Sequence, residues 1–227
     1  MKNIVIAIDG PVCSGKGTLS IGLAKKLGIL YLYTGGMYRA LTLACIRADI
    51  NLKNENEVLA VLSSTDIGLD VSSGETKIKL GDRIVDREIF DPKVSGNTPI
   101  VAAHPKVREE MVKRQQKAIE GQSGVVEGRD IATHVTPKAD LKIYLTADIN
   151  IRAKRRLKQY EEKGIEKTFD EVLKETAERD RLDSQREASP LDIHSGAIVI
   201  DTTNDTINDT MEKVLQILKE KGLYDSN

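Results

Sequence analysis

Two cysteines, Cys13 and Cys45, are all the thiols in the 227 residues. Two cannot form a disulfide framework, and two are too few for a typical structural zinc site. The three histidines, His104, His134 and His194, are far apart and share no metal-ligand spacing, so turn or surface roles are expected for them. No apolar run approaches the ~20 residues of a membrane span. The short apolar start stops at Asp9-Gly10-Pro11 and reads as a first strand, not a signal peptide. A cytoplasmic setting, with no membrane partner, is therefore expected. Charge of one sign is also missing: 34 Lys+Arg against 35 Asp+Glu leave a net charge of -1. That argues against a globally basic nucleic-acid binder, and no nucleic-acid partner is expected. What remains is 40% hydrophobic and 30% charged, the balance of an ordered soluble domain.

Five nearly continuous β-rich runs stand out, at 4–8, 29–33, 125–127, 141–145 and 197–200. Continuous rather than alternating apolar character belongs to strands buried on both faces. Helical patterns lie between them, at 15–27, 37–48, 107–119, 149–162, 169–186 and 207–221. Strands alternating with helices predict a three-layer α/β/α architecture on a five-stranded parallel sheet. Residues 66–85 break this alternation. Short alternating runs there are separated by Ser72-Ser73-Gly74-Glu75 and by Gly81-Asp82, which predicts a small antiparallel insertion. The charged, Gly-broken piece 161–167 reads as a mobile flap, and the tail from Asp225 to Asn227 is expected to fray.

Gly10-Pro11-Val12-Cys13-Ser14-Gly15-Lys16-Gly17-Thr18 has the spacing G-x-x-x-x-G-K-G-T, after a predicted strand and opening a predicted helix. This is the context that makes a P-loop credible. Glycines let the backbone turn its N–H groups inward, and the helix N-terminus adds positive potential. Lys16 reaches the β- and γ-phosphates, and Thr18 offers a hydroxyl to phosphate or to a magnesium shell. Gly17 stands where the metal-binding hydroxyl of a P-loop usually sits. Cys13 reads as a small side chain at a variable loop position, although a helix N-terminus can lower a thiol pKa. Cys45 reads as plain core.

Arginines accompany the loop. Thr34-Gly35-Gly36-Met37-Tyr38-Arg39 follows the second strand and Gly128-Arg129-Asp130 the third, at the strand ends where ligands bind in doubly wound sheets. Arg179, Asp183 and Arg186 recur at helical i, i+4 and i+7, so one helix face is expected to carry all three. Taken singly, each of these could be a solvated surface charge. A GTPase would need an Asn-Lys-x-Asp base reader and an Asp-x-x-Gly switch, and neither occurs. An ATPase motor would need a strand ending in a metal-binding Asp; Asp201 ends one, but Thr202-Thr203-Asn204 makes it a turn carboxylate. A nucleotide-binding regulator would keep the P-loop and need no acceptor arginines.

Together these motifs resemble the bacterial cytidylate kinases over nearly the whole chain. The resemblance rests on Ile8-Asp9-Gly10-Pro11, Gly15-Lys16-Gly17-Thr18, Thr34-Gly35 with Met37-Tyr38-Arg39, Pro105-Lys106-Val107-Arg108, Gly128-Arg129-Asp130-Ile131, the run from Glu178 to Arg186, and Ser189-Pro190-Leu191. It implies direct transfer of a phosphoryl group from ATP to CMP or dCMP. ATP would lie on residues Gly10, Pro11, Val12, Cys13, Ser14, Gly15, Lys16, Gly17 and Thr18. CMP would be held by Thr34, Arg39, Thr98, Arg108, Arg129, Asp130, Arg179, Asp183 and Arg186. Within that set Arg39, Arg129 and Arg186 take the phosphate, Arg108 and Asp130 the cytosine, and Arg179 and Asp183 the ribose. Lys16, Arg129, Arg156 and Arg186 would act catalytically, with Mg²⁺ carried by ATP oxygens and water and no metal ligand from the protein. The implied organisation is a core at 1–35, a monophosphate-binding domain with the insertion at 36–96, core at 97–154, a lid at 155–168 and core at 169–227, in a monomer. Four positions depart from the family pattern. Tyr33 replaces an acidic residue, Gly36 an alanine and Ala132 a glycine, and Thr98-Pro99 stands where a serine is usual near the base.

Overall fold

A computed structural model describes residues 3–71 and 76–224. Five parallel strands form the central sheet: β1 (Val5–Asp9), β2 (Leu30–Tyr33), β6 (Gly124–Glu127), β7 (Leu141–Thr146) and β8 (Ile198–Asp201), in the order β2-β6-β1-β7-β8. The predicted five-strand parallel sheet is thus observed, with each run placed to within about two residues.

Side-chain alternation explains the continuous apolar runs. In β1, Ala7 enters the core on one face while Ile6 and Ile8 enter the core on the other. Val126 and Val125 of β6 divide the same way. The residues of β1 and β6, in the middle of the sheet, find cover on both faces, so no polar alternation develops there.

The helices follow the predicted order: α1 (Lys16–Leu27), α2 (Thr34–Arg47), α5 (Pro105–Ile119), α6 (Ile149–Glu161), α7 (Phe169–Gln185) and α8 (Ile207–Glu220). Two differences matter for the site. Helix α2 starts at Thr34, directly after β2, three residues before the predicted start. Helix α7 ends at Gln185, so Arg186 (φ −64, ψ 142) leaves the helix rather than extending its charged face.

Two helices were not legible in the sequence: α3 (Glu55–Ser64), N-capped by Asn54, and α4 (Pro92–Ala103), N-capped by Asp91. Pro99 inside α4 obscures its helical pattern. The predicted insertion is a separate antiparallel sheet of β3 (Ile67–Asp70), β4 (Lys77–Leu80) and β5 (Arg83–Ile84). The predicted turn at 72–75 and the tail at 225–227 lie outside the described residues.

Gly10 ends β1 at φ +145, and a Cβ there would stand 2.0 Å from the Leu145 carbonyl oxygen. The P-loop can leave the sheet this close to β7 only without a side chain. Gly22, within α1, would meet only the mobile end of Met211. Gly10→Ala is therefore expected to cost about 3 kcal/mol or more and to lower Tm by roughly 6–12 °C. Gly22→Ala should stay within about 1 kcal/mol of the parent. Parallel thermal melts of the two variants check this contrast.

Candidate active site

Residues 10–15 form a loop from β1 into α1, with Gly15 as N-cap at φ 97. Lys16 begins the helix, buried, and its Nζ donates to the Pro11 carbonyl at 2.6 Å and to Ser14 Oγ at 3.4 Å. The next three carbonyls are also held from outside. Arg152 Nη1 donates to the Val12 oxygen at 3.2 Å, and Arg155 Nη1 lies 3.5 Å from the Cys13 oxygen. Thr202 Oγ1 lies 3.1 Å from the Ser14 oxygen. Four successive carbonyls are thus engaged by side chains, which leaves the loop's N–H groups to the concave face. This is an anion cradle at a helix N-terminus.

Burial, then the nearby Arg129 guanidinium, lowers the Lys16 pKa. The negative charge of a bound phosphate would oppose this shift. Cys13 sits at φ 59, and burial pushes its thiol up despite the surrounding cations. The lowered thiol pKa that a helix N-terminus can produce does not occur here.

Two buried carboxylates frame the cradle. Asp9, at the end of β1, accepts the backbone N–H of Ile131 at 2.9 Å and of Ala132 at 2.8 Å. It thereby pins the segment that carries Arg129 and Asp130 beside the P-loop. Burial raises its pKa to about 6 despite those two bonds. Glu127 ends β6, next to β1, and its buried Oε2 has no hydrogen-bond partner among the described residues. Position 17 faces it, since a Cβ there would stand 3.4 Å from Oε2. Burial raises the Glu127 pKa, while the charges of Lys16 and Arg129 oppose this. An unpartnered carboxylate oxygen beside a phosphate cradle suits a hard divalent cation such as Mg²⁺. Among the described residues, no group of three His, Cys, Asp or Glu could hold a metal by itself.

The predicted acceptor residues converge on the other side of the cradle. Arg129 Nε donates to Asp183 Oδ2 at 2.8 Å, and Arg179 approaches the same carboxylate at 3.4 Å. Arg186 lies 3.7 Å from Asp130 and 4.0 Å from Asp183. It reaches both after leaving α7, by the turn in the chain and not by helical phase. Burial would raise the Asp183 pKa, but Arg129, Arg179 and Arg186 outweigh it and hold it at about 2. Burial and the Arg108 charge lower Arg186 to about 10.

Arg108 Nη2 donates to Asp130 Oδ2 at 2.5 Å, and its guanidinium lies 5.2 Å from the Tyr38 ring centroid. Arg108 Nε, Arg186 Nη2 and Tyr38 OH are buried without hydrogen-bond partners, so this cluster has polar capacity that the protein leaves unmatched. Thr34 Oγ1 donates to the Glu127 carbonyl at 2.7 Å, and Thr98 Oγ1 to the Val94 carbonyl at 2.7 Å. Arg39 Nη1 donates to Ile89 O and Ser95 Oγ. Arg156 stays on its own helix, 4.6 Å from the Tyr160 ring centroid, with its closest side-chain bonds to Gln159 and Tyr160.

Comparison with known proteins decides the family. The Cytidylate kinase family model matches residues 6–220. The chain belongs to the cytidylate kinase family. A cytidylate kinase of Caldanaerobacter subterraneus subsp. tengcongensis is 44% identical over 217 residues, covering 96% of this chain and 95% of the relative. That of Bacillus subtilis is 40% identical over 221 residues, covering 97% and 99%. A crystal structure of a sugar kinase from Janibacter sp. HTCC2649 aligns with a TM-score of 0.50 at 13% identity, covering 99% of this chain and 100% of that one, and shows a shared fold only.

The Tyr33 ring lies where a Cβ at Gly36 would stand 2.6 Å from Tyr33 Cδ1 and 2.9 Å from Ile78 Cγ1. With Tyr33 and Ile78 placed as they are, position 36 has no room for a Cβ.

The residues missed from sequence are Glu127, Arg152, Arg155 and Thr202. Asp201 is the strand-end acid that the sequence brings forward. Asp201 accepts the Thr203 N–H at 2.8 Å, as the turn reading expects, and its strand β8 is separated from β1 by β7. The acid beside the P-loop strand is Glu127, and sheet order alone identifies it. The run Arg152, Arg155, Arg156 on α6 was a usable signal for the loop-holding arginines.

Arg152 also pairs with Asp180 at 2.6 Å and with the Ala147 carbonyl at 2.9 Å. Lysine cannot serve three divergent acceptors. Arg152→Lys should therefore lower kcat/KM for ATP about tenfold, with less effect on the KM of the acceptor. Steady-state kinetics with each substrate varied in turn measure this.

Asp9 supports a pH test. Its folded pKa is about 6 against 3.8 unfolded, so the native state binds the extra proton between those values. Stability from this group therefore falls as pH rises through that window. Relative to Asp9→Asn, the wild type should gain on the order of 2–3 kcal/mol between pH 7 and pH 4. Urea unfolding at both pH values reads the difference, and parallel profiles would refute it.

Proposed function

We propose that this chain transfers the γ-phosphoryl group of ATP directly to the phosphate of CMP, and of dCMP. The observation that carries the reading is a P-loop facing a buried cluster of four arginines and two aspartates, Arg108, Arg129, Arg179 and Arg186 with Asp130 and Asp183. ATP lies on residues 10–18, with its β- and γ-phosphates toward the loop N–H groups and Lys16. Arg39, Arg129 and Arg186 take the acceptor phosphate, and Arg179 and Asp183 the ribose. The acceptor oxygen is already anionic, so no general base is required. Lys16, Arg129, Arg186 and Arg156, the last swinging off Tyr160, neutralise the charge of the transferred group. Mg²⁺ would be held mainly by ATP oxygens and water, with the Glu127 carboxylate as the nearby protein acid, and would supply further neutralisation. Residues 36–96 act as the acceptor-binding unit and 155–168 as the lid over a core of residues 1–35, 97–154 and 169–227. The protein works as a cytoplasmic monomer.

Cytosine recognition follows from donor and acceptor chemistry. Cytosine offers an N4 amino donor and an N3 acceptor, and uracil reverses both. Asp130 accepts and Arg108 donates, and their 2.5 Å contact holds them as an oriented pair before any base arrives. The Thr98 hydroxyl donates to the Val94 carbonyl, so toward a base it acts as an acceptor, which also suits N4.

Each buried mismatch costs about 1–3 kcal/mol, so CMP should be preferred to UMP by at least tenfold. Asp130→Asn leaves Arg108 poorly paired and lowers all activity, so the CMP-to-UMP ratio of kcat/KM is the informative readout. That ratio should shrink, chiefly through lost CMP activity. Turnover with ATP and a panel of nucleoside monophosphates tests the reading as a whole. An inactive wild type would refute the function, and an unchanged ratio would remove Asp130 from base recognition.

A further inference from the structure

Strand β2 ends beside the cradle in an aromatic ladder. The rings of Tyr31 and Tyr33 have centroids 6.3 Å apart at an interplanar angle of 8°. Tyr33 and Phe90 continue the stack at 6.2 Å and 9°. Phe90 belongs to the single 3-10 turn Glu88–Phe90 that precedes α4, and it is 42% exposed. The ladder therefore runs from the central sheet into the segment read above as the acceptor-binding unit.

Two cations rest on its outer ring. Arg39 Cζ lies 5.1 Å from the Phe90 centroid, and so does Lys163 Nζ. Arg39 comes from α2, while Lys163 comes from the turn after α6, in the segment read as the lid. The ion pairs found among the described residues include neither of them.

Carboxylates are close by, but each is engaged elsewhere. Asp86, Glu88 and Asp91 line the same cleft as Phe90 and Lys163. Asp86 accepts the Ile78 N–H, Glu88 pairs with Arg47, and Asp91 caps α4 through the Lys93 N–H. Partial burial, then the charges of Arg156 and Arg39, pushes the Lys163 pKa down, as expected for a cation without a neutralising partner.

We propose that Phe90 is a positioning residue for phosphoryl transfer. Held to the core strand by Tyr33, its ring carries Arg39 and Lys163 together and delivers the lid-side cation to the acceptor phosphate along with the acceptor-side one. This deepens the reading in which Arg39 binds the phosphate of CMP. A ring face attracts a cation through its quadrupole without cancelling its charge. A carboxylate in the same place would have to be displaced before either cation could serve a phosphate. The ring keeps both cations in position and available, and it offsets part of the repulsion that two uncompensated charges suffer at close range.

Phe90→Leu keeps apolar bulk and removes the quadrupole, whereas Phe90→Tyr keeps the ring. Phe90→Leu should raise the KM for CMP and lower kcat, reducing kcat/KM for CMP about 5–20-fold, with the KM for ATP within twofold of wild type. Phe90→Tyr should stay within twofold throughout. Lys163→Met, at an exposed position, should lower kcat/KM for CMP by a similar factor, and adding it to Phe90→Leu should cost less than another twofold. Equal behaviour of the Leu and Tyr variants, multiplicative losses in the double variant, or an ATP KM that moves as far as that of CMP would each overturn the proposal. If Phe90→Leu fails to fold, a Lys163→Met enzyme with unaltered CMP kinetics overturns it alone. A wild type inactive on CMP overturns both this proposal and the function on which it rests.

Discussion

The site depends on a backbone turned inside out. A P-loop binds phosphate by presenting N–H groups to its concave face, so the carbonyls must face outward into protein. Buried carbonyls need donors, and here Lys16, Arg152, Arg155 and Thr202 supply them to Pro11, Val12, Cys13 and Ser14. These donors come from α1, α6 and the turn after β8, so the loop shape is set by three separate parts of the chain. Gly10 adds the second requirement, passage against the Leu145 carbonyl with no room for a Cβ.

Charge around the cradle is arranged in two different ways. Arg108, Arg129, Arg179 and Arg186 are held by Asp130 and Asp183, which fixes their orientation at the cost of part of their field. Arg39, which also donates to Ile89 O and Ser95 Oγ, and Lys163 rest instead on an aromatic face, which leaves their charge intact. The first arrangement suits a rigid pocket. The second suits groups that must change partner during a catalytic cycle.

The start of α2 is shaped by close packing around Tyr33. The Tyr33 ring and the Ile78 side chain occupy the space that a Cβ at Gly36 would need. Thr34 between them donates to the Glu127 carbonyl, which ties the end of β2 to β6 in the observed register.

By itself the sequence determined the order of elements in the α/β core and the P-loop. Those features are local: a strand, a glycine-rich turn and a helix start leave their marks within about ten neighbouring residues. Helix α4 escaped because Pro99 interrupts its pattern, and the end of α7 was set one residue too late because Arg186 matched the helical spacing. Only the tertiary structure decided that Glu127 and not Asp201 stands beside the P-loop strand, because strand order is not written in strand sequence. The same holds for Arg152, Arg155 and Thr202 as supports of the loop, for Asp9 as the pin of the 131–132 backbone, and for Phe90 beneath two cations. Each joins residues more than fifty positions apart in at least one contact, and such contacts are selected by packing of the whole chain, which no short window of sequence contains.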